Sequence, residues 1–206
     1  MHVNTALFAP AFVTVLVIMD PLGNIPVFLS LTRDHSPAQR RRAALQGSAV
    51  AALVIGVFAL FGDRILQLLG IGLPSLQAAG GLLLLVVALE LLRPDEDAPA
   101  DDAVVNHNIA MVPLGTPLLA GPGAIAATML YTRQADGPGD LLVVVGALVA
   151  VLLVVYTCLR YANVVAKVLK ENGIHLLSRV MGLLVAAIAV QLVAEAVQDW
   201  IRHGVG

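Results

Sequence analysis

Six long apolar runs, separated by short polar stretches, organise this chain. They cover Thr5–Thr32, Ala43–Phe61, Leu73–Leu92, Ile109–Thr132, Leu141–Leu159 and Leu176–Val197. At 1.5 Å rise per residue each run comes close to or exceeds the ~30 Å hydrocarbon core of a bilayer. The pattern predicts an all-α membrane protein with six transmembrane helices. As one helix the first run would reach roughly 42 Å, so a tilt or an interruption must absorb the excess. Between runs, Ser36 and Pro37 provide a cap and first turn for the second helix. Gly62-Asp63-Arg64 ends that helix in this reading, and Ile65–Leu69 follows as a short amphipathic piece. Asp136-Gly137-Pro138-Gly139-Asp140 reads as a turn, and Lys167, Lys170 and Glu171 fall in a predicted loop.

Two runs carry residues that oppose a continuous helix. The first contains Met19-Asp20-Pro21-Leu22-Gly23-Asn24-Ile25-Pro26; the fourth contains Pro113-Leu114-Gly115-Thr116-Pro117-Leu118-Leu119-Ala120-Gly121-Pro122-Gly123. Proline removes a backbone donor and clashes with the preceding turn, so helices 1 and 4 should break there. Broken backbone at membrane depth is tolerated only where protein or a wet cavity surrounds it. A half-helix starting after such a break presents free N–H groups and the positive end of its dipole to an anion. Gly23 with Asn24, and Gly121 with Gly123, mark two such starts. Asp20 is the one carboxylate well inside an apolar run. Two compatible readings stand: a ligand for a substrate ammonium or carrier of a coupling proton, or a cap for its own half-helix. The candidate substrate-binding residues are Asp20, Pro21, Gly23, Asn24, Thr116, Gly121, Pro122 and Gly123, with Asp20 the coupling candidate.

Composition agrees with the runs. The chain is 59% hydrophobic and 13% charged, with a mean hydropathy of +0.89; soluble domains carry about 25% charged residues. The single cysteine, Cys158, excludes an internal disulfide and a cysteine-cluster metal site. His107, His175 and His203 lack metal-ligand spacing, no basic aromatic patch suggests nucleic acid, and no P-loop is present; no cofactor or metal is expected. The start lacks a basic n-region, so the first run reads as a retained span.

A shift of one hundred residues superposes the two halves around the breaks. Gly23 meets Gly123, Ile25 meets Ile125, and Thr32-Arg33 meets Thr132-Arg133; further on, Gly70-Ile71 resembles Gly173-Ile174 and Gly81-Leu82-Leu83 resembles Gly182-Leu183-Leu184. Three runs per half is an odd number, so the second copy enters from the opposite face. The expectation is two inverted-topology three-helix repeats, residues 1–92 and 109–206, joined by an acidic cytoplasmic linker, 93–108. In such folds substrate sits near the midplane between discontinuous helices. Small residues at Gly80-Gly81 let a neighbouring backbone approach. With the termini outside, nine basic residues lie inside (Arg33, Arg40, Arg41, Arg42, Arg93, Arg160, Lys167, Lys170, Arg179) against three outside (Arg64, Arg133, Arg202). That asymmetry sets both termini outside.

The two motifs, with Val27-Phe28 after the first and Ala124-Ile125 after the second, closely resemble the MarC family, also called the neutral amino acid transporter family. The similarity extends over essentially the whole chain. It implies a multi-pass protein of the bacterial inner membrane in the broad LysE-like group of transporters, and a carrier of small neutral amino acids of the glycine or alanine type. The expected partners are the bilayer, a small zwitterionic substrate, a coupling proton or sodium ion, and a second copy of the chain in a homo-oligomer. Other classes were weighed on their residues. An exporter of another small metabolite, a channel, or an accessory protein without carrier activity shares the same pattern. A thiol-shuttling electron carrier needs a cysteine at each break, and Cys158 is at neither. An enzyme is not expected, since no nucleophile–base pair lies at membrane depth.

Overall fold

Proline, glycine and serine decide where the helices start and stop. The computed structural model describes residues 4–92 and 119–203, which form α1 (Phe8–Met19), α2 (Asn24–Leu31), α3 (Pro37–Leu69), α4 (Leu73–Leu92), α5 (Pro122–Arg133), α6 (Pro138–Arg160) and α7 (Ala162–His203). A single 3₁₀ turn, Thr5–Leu7, leads into α1. Ser36 opens α3 with a capping box: its hydroxyl accepts from the Gln39 N–H at 3.3 Å, and the Gln39 amide oxygen accepts from the Ser36 N–H at 2.8 Å. Pro37, Pro122 and Pro138 sit in the first turns of α3, α5 and α6, where a missing N–H costs nothing. Gly70 ends α3 in a left-handed conformation (φ 65°). Among the described residues there is no strand.

Three stretches are long and apolar enough to cross a membrane: Pro37–Leu69, Pro138–Arg160 and, within α7, Arg179–Arg202. The pair Thr5–Met19 and Asn24–Leu31, bent by 46°, makes a fourth if taken as one span. α4 matches the third predicted run residue for residue, although its apolar part, Leu73–Leu89, is shorter. Leucines on these helices face outward with no protein cover: Leu53, Leu142 and Leu153 are 60% or more exposed. A bilayer is the solvent that suits such a surface.

Two boundaries differ from the sequence expectation. Ile65–Leu69 is no separate piece but the end of one 33-residue helix, α3. Gly62-Asp63-Arg64 has no proline to stop it; Gly62 lets Met129 of α5 lie close, and the exposed Asp63 forms an ion pair with Arg133 (2.7 Å). Nor do Lys167, Lys170 and Glu171 lie in a loop, because α7 begins at Ala162 and runs for 42 residues. An isolated glycine such as Gly173 costs a helix only about 1 kcal/mol. The linker 93–108, Thr116 and the opening of the fourth run lie outside the described residues.

Contacts at the helix ends fix relative direction. At one end Asn4 donates its N–H to Asp140 Oδ1 (2.7 Å), and Asp63 meets Arg133. At the other, Arg40 binds the Asn163 side chain (2.9 Å) and the Thr32 carbonyl (2.8 Å). Thus α1, α2, α4 and α6 run toward the Arg40 end, while α3, α5 and the apolar part of α7 run away from it. The largest apolar cluster joins α1, α2, α3, α5 and α6 around Met19, Phe28, Ile55, Ala124 and Val151. A second joins α4 to α7 through Leu84, Ala88, Val185 and Ala189.

Candidate functional site

The first break is built from four of the eight candidate residues. α1 stops because Asp20 turns left-handed, at φ 36° and ψ 66°, the one non-glycine residue with positive φ among those described. Aspartate tolerates that conformation better than most residues, because its short side chain bonds locally. The Asp20 N–H still reaches back to the carbonyls of Leu16 (3.1 Å) and Val17 (3.2 Å). Its carboxylate Oδ1 accepts from the Gly23 N–H at 3.0 Å, and its carbonyl accepts from the Asn24 N–H at 3.1 Å. Asn24 completes the set by donating Nδ2–H to the Met19 carbonyl at 2.8 Å. Pro21, with no N–H to satisfy, is buried in the bend.

Asp20 is 7% exposed, and its carboxylate takes the N–H of Gly23, the residue that precedes α2. Asn24 closes the break rather than bridging to another helix. Gly23 is required for a steric reason: a Cβ there would collide with the Asp20 carboxylate. Gly23→Ala should therefore displace the carboxylate and undo the cap. The expected loss is about 1 kcal/mol of stability, the usual worth of an N-cap side chain. A thermal unfolding scan in detergent checks it, and an unchanged melting temperature would refute the steric argument.

The second break is made differently. Gly121 precedes α5 with extended backbone (φ −65°, ψ 170°), Pro122 occupies the first turn, and among the described residues no side chain caps the helix. The start of α5 is wedged against α4. A Cβ on Gly123 would enter the Leu84 side chain, and one on Gly80 would stand 3.2 Å from the Pro122 carbonyl oxygen and 3.3 Å from Gly123 Cα. Both breaks border the same apolar cluster, with Met19 and Ile25 flanking the first and Ala120 and Ala124 the second. Uncapped backbone at the start of α5 can hold an anionic group, whereas the carboxylate at the first break can take a cation or a proton.

Sequence reasoning passed over other buried polar groups. Gln77 on α4 (1% exposed), Ser48 on α3 (7%) and Thr128 on α5 (0%) hold side-chain oxygens with no hydrogen-bond partner among the described residues. An amide in the middle of Leu73–Leu89 was a visible signal for Gln77. Thr14 and Tyr131 pair their hydroxyls at 2.9 Å, tying α1 to α5. Gln191, exposed near the middle of the stretch Arg179–Arg202, donates Nε2–H to Glu195 (2.8 Å).

Comparison with known proteins follows the same lines. A family model described as MarC family integral membrane protein matches residues 5–201. A UPF0056 membrane protein of Methanocaldococcus jannaschii is 36% identical over 93% of this chain and 96% of its own length. One from Aquifex aeolicus is 33% identical over 96% and 95%. The UPF0056 inner membrane protein YhgN of Escherichia coli is 30% identical over 93% and 96%. No solved structure matches the chain.

Proposed function

The chain belongs to the MarC family of integral membrane proteins, and we propose that it is a secondary carrier of a small neutral amino acid, glycine or alanine in type. In this reading six spans form two inverted three-helix repeats, both termini and the acidic linker lie as the basic-residue asymmetry assigns them, and the membrane is a bacterial inner membrane. Substrate binds between the two breaks and reaches each side in turn.

One observation carries the reading. The repeat-matched residues contact one another reciprocally: a Cβ on Gly81 would meet the Ala189 carbonyl, and one on Gly182 would stand 3.3 Å from the Ala88 carbonyl. Gly81 corresponds to Gly182 and Ala88 to Ala189 at one and the same offset. Such reciprocity is the mark of a two-fold relation. The opposite directions of α2 and α5, of α3 and α6, and of α4 and α7 agree with it, and paired broken helices in inverted repeats are where carriers bind substrate.

The chemistry assigns the substrate carboxylate to the uncapped start of α5 at Gly121, Pro122 and Gly123. Its ammonium, or a coupling proton, falls to Asp20. An ammonium that takes the Asp20 carboxylate from the Gly23 N–H releases the cap of α2, which couples binding to a change at the bend. The walls Gly123, Ala124 and Ala126 suit a small side chain.

Purified protein should gain thermal stability when glycine, alanine or serine is added. A ligand at a hundred times its Kd adds about 2.7 kcal/mol by mass action. Saturable, concentrative uptake into proteoliposomes should follow the same ranking. No shift with any amino acid, joined to no uptake, would overturn the proposal; rapid passive flux that does not saturate would favour a channel.

A further inference from the structure

The opening of α7 is too long to belong to its span. Its apolar window begins at Arg179, so Ala162–Ser178 precede it and run for about 25 Å. One side of this stretch is packed: Ala162 is buried, with Val165 and Ala166 against the main cluster.

The exposed surface is divided lengthwise. Tyr161, Val164 and Val168 recur at helical spacing on one flank and are 53%, 57% and 74% exposed. Roughly 100° around α7, Asn163 and Lys167 make a polar, basic flank, which Arg160 at the end of α6 extends. At the seam the Arg160 guanidinium lies 5.2 Å from the centroid of the Tyr161 ring. The bonds from Arg40 to Asn163 and to the Thr32 carbonyl bring the first turns of α3 alongside, and with them the exposed Arg41 and Arg42.

Cations from α3, α6 and α7 therefore share one surface beside an apolar flank. A helix divided in this way lies at the boundary between headgroups and acyl chains, and clustered cations there attract anionic lipid. We propose that Arg41, Arg42, Arg160 and Lys167, with the flank of Tyr161, Val164 and Val168, form a docking surface for anionic phospholipid headgroups. This stands apart from the carrier reading, since it needs neither break.

The test uses the full chain in detergent, titrated with phosphatidylglycerol or phosphatidylcholine, with bound lipid counted by native mass spectrometry. Phosphatidylglycerol should be retained several-hundredfold more strongly, since each of the four cations contributes roughly fivefold, and each cation removed should cut the preference by about that factor. Lys167→Gln, an exposed change that leaves folding alone, carries the test, and Arg41→Gln with Arg42→Gln extends it. Arg64→Gln, exposed at the opposite end, should leave the preference unchanged. Equal retention of the two lipids, or a loss in Arg64→Gln as large as in Lys167→Gln, would overturn the proposal.

Discussion

Asp20→Asn should insert and fold normally yet lose transport by about a hundredfold, the scale expected when one partner of a buried charge pair is removed. On the proposed carrier reading the side chain serves two roles, and this substitution separates them. Asparagine is at home with positive φ, and its amide oxygen can still accept from the Gly23 N–H, so the bend survives. What it lacks is the charge and the titratable proton. Asp20→Ala should fail differently. It removes the acceptor, at about 1 kcal/mol, and leaves an ordinary side chain in the left-handed conformation, at a further 1–2 kcal/mol or so. Melting temperatures and proteoliposome flux, read together, make the distinction. Wild-type flux in Asp20→Asn would remove Asp20 from the substrate or coupling role and leave it a cap.

Gly81→Ala should destabilise the protein by about 1–3 kcal/mol, the range for overpacking a tight interface. Its new methyl would stand 2.7 Å from the Ala189 carbonyl oxygen and 2.8 Å from Val193 Cγ2. A backbone oxygen held in a helix cannot step aside as a side chain can, so α4 and α7 must move apart. Lipid tails are as apolar as leucine, so close packing rather than water exclusion holds the two helices together in a bilayer. Gly56→Ala and Gly146→Ala are the controls. Both glycines face open space, and alanine there should be neutral or stabilising by up to about 1 kcal/mol. A melting temperature for Gly81→Ala equal to that of the controls would refute the close approach.

The breaks were legible because proline and glycine act locally: whatever surrounds Asp20-Pro21-Leu22-Gly23, Pro21 cannot sit inside an undisturbed helix. The close approach at Gly80-Gly81 was legible too, although not that the two glycines serve different neighbours, Gly80 admitting α5 and Gly81 admitting α7. Helix ends were harder to read. Charges at Asp63-Arg64 and at Lys167 mark where an apolar run ends, but a helix continues into water at no cost in hydrogen bonds, so α3 and α7 outrun their runs. At the site, the sequence named Asp20 and Asn24 but could not assign Asn24 to the Met19 carbonyl, because that bond depends on the angle of the bend. The burial of Gln77 follows from the rotation of α4 against its neighbours, which no local pattern records.

The hydrogen bonds that shape the first break all lie within residues 16–25. A bend held by such short-range bonds requires no other helix, so the nascent chain can enter the bilayer already bent. Among the described residues the start of α5 has no comparable internal support, and it packs instead on Gly80 and Leu84 of α4. Synthesis delivers α4 before α5, so the start of α5 finds its support waiting when it emerges. The order of the segments along the chain thus doubles as an assembly schedule, with a self-sufficient kink made first and a dependent helix start made only after its scaffold.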